Sequence, residues 1–315
     1  MRQRIPTKNM SREDWLQLRR TSIGGSDVAT ILGFNKYKSP YQLWLDKTGQ
    51  IEIDASDPSE AAYWGNVFEK TVAEEFMKRT GAKVRNDNHM YFHRKYDFLS
   101  ANVDRQVVGE NAILECKTAS MFLADKWDGE NIPDQYIFQV QHYLNVLDKA
   151  YAYIAVLVGG QKFQWKRIDR DQELIDIIQE RLIAFWEVNV KQNVAPPIDG
   201  SQAVTDFLKE RNANSEAGKE ITLASSFDET ISLLNEAKAA KKTVEETISL
   251  YENQIKLALG EADAEIGIMP TNLIYWKPVT TNRLDTKTLQ KEQPDIYEQY
   301  LNASQSRRLT IKGIK

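Results

Sequence analysis

The sequence predicts an α/β fold (α+β in the order of its elements), with one sheet covered by helices on its faces. Three observations carry that reading. Segments with apolar residues at helical spacing alternate with short aromatic or β-branched runs. Glycine-containing turns, Gly109-Glu110-Asn111 and Gly159-Gly160, separate two pairs of those runs as hairpins require. Hydrophobic content of 42%, with seven Trp and eleven Phe in 315 residues, suffices for a large core, while no run nears eighteen apolar residues.

The elements follow in order. Residues 11–20 read as a short helix with Ser11 as N-cap, and Ser26 or Asp27 caps a second helix behind Gly24-Gly25. A third starts at Pro40 and ends at Gly49, and residues 51–60 are a polar loop. Residues 61–81 form a strong helix with Phe68, Val72, Phe76 and Met77 on one face and Gly81 as its stop. Residues 90–108 and 112–119 read as strands, 133–148 as a helix, and 151–168 as a hairpin. An amphipathic helix over 171–190 stops near Pro196-Pro197.

That Pro-Pro stretch divides the chain into a domain of residues 1–197 and a mainly helical extension of residues 198–315. Within the extension, residues 226–262 repeat apolar positions every three or four residues, interrupted by Lys241. This suits half of a coiled coil, an oligomer contact, or an ordinary packed helix. A strand, a turn and a short helix follow.

Composition excludes several classes of function. The single Cys116 rules out a disulfide framework and a cysteine zinc site, and three histidines leave little room for zinc catalysis. With no apolar signal core at the N-terminus, the chain is expected in the cytoplasm, away from membranes. A formal charge of −4 does not suit a protein coated by nucleic acid. The first twenty residues nevertheless hold Arg2, Arg4, Lys8, Arg12, Arg19 and Arg20 against Glu13 and Asp14, so a local basic lining is open to it.

Chemistry concentrates around residues 100–120. If the runs flanking Gly109 pair as a hairpin, Asp104 lies across from Glu115 or Cys116, at a cross-strand spacing of about 4.5–5.5 Å. Alternation puts Glu115 and Lys117 on one face, with Leu114 and Cys116 on the other. Two carboxylates so close repel unless a cation lies between them. Hard oxygen donors suit Mg²⁺ or Mn²⁺, and a lysine beside the ion can position an attacking water, the equipment for metal-assisted phosphodiester hydrolysis. The same pattern also fits a surface hairpin whose charges face solvent. Glu69 and Gln139 border the buried faces of their helices and need partners there; a salt bridge or a backbone cap would serve as well as a metal–lysine site.

The order of W15-LQL-R19-RTSIGGS26-D27, W64-GNVFE69, SANVD104, LE115-C-K117 and Q139-VQHY143 resembles the YqaJ-like viral recombinase family, relatives of lambda exonuclease within the PD-(D/E)xK nuclease superfamily. The resemblance spans roughly residues 11–190. It implies a restriction-endonuclease-like core and a 5′→3′ exonuclease on double-stranded DNA ends, leaving 3′ single strands. The enzyme would use two Mg²⁺ ions, with Mn²⁺ able to substitute. It would be a homo-oligomer working beside a single-strand annealing protein, in a bacterial host of a phage or prophage.

By position, Asp104, Glu115 and the Cys116 carbonyl would hold metal, and Glu69 would help the second ion. Lys117 would serve the nucleophilic water, and Gln139 would orient Lys117 or that water. Arg19 and Ser26 would form the pocket for a 5′-phosphate; the plainer alternative is that Arg19 or Arg20 merely pairs with a surface acid and Ser26 acts only as a cap. Arg105 stands where lambda exonuclease has glycine, and residues 201–315 have no counterpart in that compact enzyme. A junction resolvase or endonuclease built on the same core, or a non-catalytic adaptor that binds DNA ends, are the competing readings.

Overall fold

In a computed structural model, residues 3–53, 59–213, 216, 218–302 and 307–312 are described. Part of the polar loop expected over 51–60 therefore lies outside the described residues, as does Arg2. Two compact units divide the chain, Met1–Arg211 and Asn212–Lys315.

The first unit opens with β1 (Arg4–Pro6), α1 (Arg12–Arg20), α2 (Gly25–Ile31), α3 (Pro40–Lys47) and α4 (Glu60–Thr80). Short strands β2 (Val84–Asn86), β3 (His89–Phe92), β4 (Ser100–Ala101) and β5 (Arg105–Val107) precede the long β6 (Ala112–Ala119). A 3-10 helix (Met121–Trp127) then leads to α5 (Asp134–Leu147), β7 (Tyr151–Val158), β8 (Lys162–Asp169), α6 (Gln172–Ala184) and α7 (Gln202–Arg211).

The central sheet has the order β2-β5-β6-β7-β8. Only β6 and β7 run parallel; the other pairs are antiparallel, which makes the sheet mixed. A parallel pair needs a crossover, and α5 supplies it. Alternation along β6 sends its side chains to two different cores. Leu114 and Cys116 pack with Val72, Ala73 and Phe76 of α4. Ile113, with Ile154 and Val156 of β7, packs instead with Val140 and Leu144 of α5. Helices thus cover both faces, as an α/β protein requires.

Several local details differ from the sequence-based reading. The stretch 90–108 is not one pair of strands: β3 and β4 leave the central sheet and form a second one with β1. Gly24, not Ser26 or Asp27, is the N-cap of α2, and the Asp27 carboxylate accepts its N–H at 3.0 Å. The helix expected over 171–190 is α6 followed by a π-helical turn, Phe185–Lys191. The expected boundary at Pro197 falls before α7, whose Val204 is buried and whose Phe207 rests on Tyr41, with ring centroids 6.5 Å apart. Both belong to the first unit, which closes at Arg211.

The second unit contains α8 (Ser226–Glu261), the antiparallel pair β9 (Ile266–Ile268) and β10 (Leu273–Tyr275), α9 (Thr286–Glu292) and α10 (Pro294–Gln299). Val244, Ile248, Tyr251 and Ile255 of α8 are all exposed.

Candidate active site

Asp104 occupies a bend immediately before β5, where the chain passes from the small sheet into the central one. The register of Arg105 with Leu114 and Gln106 with Ile113 places Glu115 across from it, as the turn length predicts. Asp104 Oδ2 accepts the Cys116 backbone N–H at 2.7 Å, which ties the carboxylate to β6. Burial, then Glu115, then Glu69 push its carboxyl well above the usual carboxylate range.

Glu115 is 3% exposed. Its Oε1 accepts from Lys117 Nζ at 2.7 Å and from Gln139 Nε2 at 2.8 Å. Its Oε2 is buried and has no hydrogen-bond partner among the described residues. An unsatisfied buried carboxylate oxygen costs about 1–3 kcal/mol or more, so a group that supplied it with a partner would be favoured there. Lys117 also donates to Gln139 Oε1 at 3.2 Å, and its Nζ lies 5.0 Å from the Tyr136 ring centroid. Burial works against its charge, but Glu115 and Asp104 outweigh it and hold the side chain as an ammonium. Gln139 in turn donates to the Tyr143 hydroxyl at 2.9 Å.

Four of the five expected catalytic side chains, Asp104, Glu115, Lys117 and Gln139, therefore meet in one network. Glu69 meets it through a residue the sequence reading gave no role. Its carboxylate pairs with Arg105, whose Nη1 also donates to the Asp104 backbone carbonyl at 2.8 Å. Nothing in the spacing of Glu69 and Arg105 announces that contact, because it joins α4 to β5 across 36 positions.

Among the described residues, no three His, Cys, Asp or Glu side chains form a ready metal-holding group. The fit to a divalent ion rests instead on the donor set between Asp104 and Glu115. Two buried carboxylates oppose one another there, and one oxygen is orphaned. Oxygen donors of this kind suit Mg²⁺ or Mn²⁺.

Arg19 and Ser26 come together where α1 passes into α2, the helix that packs on Gln139 and Tyr143 of α5. Arg19 Nη2 donates to Ser26 Oγ at 2.6 Å, and the guanidinium lies 4.8 Å from the Trp15 ring. Beneath them, the buried Lys47 ammonium meets Asp27 at 2.8 Å. Burial alone would raise the Asp27 carboxyl, but Lys47 and Arg19 hold it well below the usual range. Arg20 pairs with the acid expected for Arg19 or Arg20, binding Asp46 at 3.2 Å, while Arg19 Nη2 lies 3.7 Å from the buried Asp27. A cavity of about 260 Å³ opens here, lined by Arg19, Asp27, Lys38, Asp46 and Lys47 among others.

Gly25 locks this pocket to the first site. A Cβ on it would stand 2.4 Å from Tyr143 Cε1 and 2.9 Å from Gln139 Cγ, so only glycine lets α2 approach α5 there. Ser22 and Ile23 secure the same segment to β4: the two seryl oxygens of Ser22 and Ser100 lie 2.8 Å apart, and Ser100 N donates to Ile23 O at 2.8 Å.

Comparison with known proteins places residues 14–150 in a match to the family described as YqaJ-like viral recombinase domain. The Bacillus subtilis (strain 168) protein YqaJ, itself described as uncharacterized, is 47% identical over 307 residues, 97% of this chain and 95% of its own. Protein D345L of African swine fever virus (strain Badajoz 1971 Vero-adapted) is 39% identical over 69 residues, 21% of this chain and 19% of that protein. Among solved structures, an alkaline exonuclease from Laribacter hongkongensis is 19% identical with a TM-score of 0.47, covering 57% of this chain and 95% of that one. A phage related exonuclease from Haemophilus somnus 129PT is 16% identical with a TM-score of 0.44, covering 57% of this chain and 98% of that one.

Proposed function

The chain belongs to the YqaJ-like viral recombinase family, and from that premise we propose that it is a Mg²⁺-dependent 5′→3′ exonuclease acting on double-stranded DNA ends. The observation that supports this most directly is the Asp104–Glu115 pair, two buried carboxylates facing each other with Glu115 Oε2 unpartnered. Asp104, Glu115 and the Cys116 carbonyl would hold the ion, with Mn²⁺ able to replace Mg²⁺. When bound, a divalent ion supplies Lewis-acid charge to a phosphoryl oxygen and acidifies the attacking water.

The chain's own residues supply the rest. Lys117, kept charged by its carboxylate neighbours, orients the water and faces the charge that develops on the phosphoryl group. Gln139 donates one amide hydrogen to Glu115 and another to Tyr143, while its oxygen accepts from Lys117; this fixes both charged side chains. Arg19 offers a guanidinium fork and Ser26 a hydroxyl to a terminal 5′-phosphate. Because Gly25 holds α2 against Gln139 and Tyr143, the end pocket stands at a fixed distance from the hydrolytic residues. That coupling favours an exonuclease over an endonuclease or resolvase, which has no use for an end pocket. The network of four side chains disfavours a non-catalytic end-binding adaptor.

The product, a 3′ single-stranded tail, calls for a single-strand annealing protein as partner, in the cytoplasm of a bacterial host carrying phage or prophage DNA. The exposed apolar stripe of α8 offers a surface for such a partner or for homo-oligomer formation.

One assay tests the reading. Linear duplex DNA with 5′-phosphates is expected to release nucleotides only with Mg²⁺ or Mn²⁺, from 5′-labelled ends first, and much faster than duplex with 5′-hydroxyls. Circular DNA should resist. Glu115→Gln should lower the rate by about three orders of magnitude or more, as loss of several kcal/mol of charge stabilisation demands. Arg19→Ala should erase the end preference while sparing the residual metal-dependent rate. Cleavage of closed circles, or equal rates on both kinds of end, would move the assignment to an endonuclease.

A further inference from the structure

We propose that Arg105 takes the place of a second metal ion, so that this site binds one divalent cation, between Asp104 and Glu115. The inference rests on the metal-dependent reading above and narrows it. The Arg105 side chain is 8% exposed and its guanidinium is shared between the Glu69 carboxylate and the Asp104 main-chain carbonyl, at 2.8 Å from the latter. A guanidinium keeps its charge at every accessible pH. It therefore stands as a permanent cation at the one carboxylate a second ion would need.

Releasing Glu69 to a metal would leave Arg105 buried with only a neutral carbonyl as acceptor, the arrangement that makes a broken buried ion pair so costly. Nothing comparable holds the other side of the site. Glu115 Oε2 has no partner among the described residues, so a cation bound there displaces no existing bond.

The charge count points the same way. Counted in the ionised form that a bound ion requires, Glu69, Asp104 and Glu115 against Lys117 and Arg105 leave one net negative charge. One divalent ion turns this into one positive charge, matched by the single negative charge of a DNA phosphodiester. Two ions would leave three positive charges facing that phosphate. Arg105 thus acts as a positioning residue: it holds Glu69, braces the Asp104 main chain, and supplies charge without exchanging with solvent ions.

Counting ions in the full-length protein tests this. Free Mn²⁺, followed by electron paramagnetic resonance during titration and checked by calorimetry, should give one equivalent per chain. Glu69→Gln should leave that equivalent in place, whereas Asp104→Asn should weaken it by more than about tenfold. Arg105→Met, with folding verified by its melting curve, frees Glu69 and should add a second equivalent; Arg105→Lys, which keeps a cation, should not. Two equivalents in the unmutated chain, or loss of one in Glu69→Gln, would overturn the substitution of Arg105 for an ion while leaving the metal-dependent reading intact. Absence of any Mn²⁺ binding would remove both. The unmutated and Glu69→Gln counts decide the matter even if Arg105→Met does not fold.

Discussion

His142 on α5 donates from a ring nitrogen to the Ser100 carbonyl at 2.8 Å, and burial pushes its pKa from 6.5 down to about 4. A histidine lowered in the folded state stays neutral while the unfolded chain takes up a proton. Its contribution is therefore fully present above about pH 6.5 and is lost as pH falls from there towards 4. At pH 5 the loss amounts to about 2 kcal/mol. Asp104 acts in the opposite sense, since its raised carboxyl relieves crowding when it takes a proton. The useful quantity is thus a difference: the unfolding free energy from urea titrations should fall between pH 7.5 and pH 5 by about 2 kcal/mol more in the unmutated chain than in His142→Gln. Equal pH dependence in the two would contradict a neutral, structural imidazole. At this scale the sequence is informative wherever strand alternation alone decides. Glu115 and Lys117 had to share a face, and the short turn had to bring Asp104 opposite. Alternation names a side and never a partner, so the Arg105–Glu69 pair and the Lys47–Asp27 pair beneath Arg19 were invisible to it.

Whole elements follow the same division. The helix α4, the strand β6, the crossover α5 and the β7–β8 hairpin are long enough for their periodicity to show. The short strands β1 and β4, with three and two residues, carry no period, and their pairing depends on neighbours distant in sequence. The π-helical turn after α6 is equally silent, because its residues keep an ordinary helical pattern. Packing between elements was hidden too, and Gly25 is the sharpest case. Gly25→Ala drives a methyl group into Tyr143 and Gln139, which should cost about 1–3 kcal/mol. Since Gln139 brackets Glu115 and Lys117, a displacement there approaching 1 Å is expected to lower the rate by up to about a hundredfold. Melting temperature and nucleotide release measured on the same preparation check both halves. An alanine variant with unchanged melting and rate would show that α5 yields without consequence.

At the scale of the molecule, the two compact units make separate claims on the chain. A fragment of residues 1–211 should unfold cooperatively on its own, since its core is complete. A fragment of residues 1–197 loses α7, with the buried Val204 and the partly buried Phe207, and should be about 2–4 kcal/mol less stable. Denaturant midpoints of the two fragments compare them directly; equal values would make α7 dispensable. Light scattering of the longer fragment beside the full chain tells whether Asn212–Lys315 governs assembly, as the exposed stripe of α8 leads us to expect. The parallel pairing of β6 with β7 also orders events in time. Hairpins such as β5–β6 and β7–β8 close across a few residues within about microseconds, but β6 and β7 must wait for the crossover between them. Asp104 and Glu115 thus depend on that local hairpin alone to become neighbours. Gln139 reaches them only when α5 has docked and β7 has been synthesised. A growing chain therefore carries both carboxylates before the Gln139 that brackets Glu115, and the four-residue network is complete only once β6 and β7 have paired around α5.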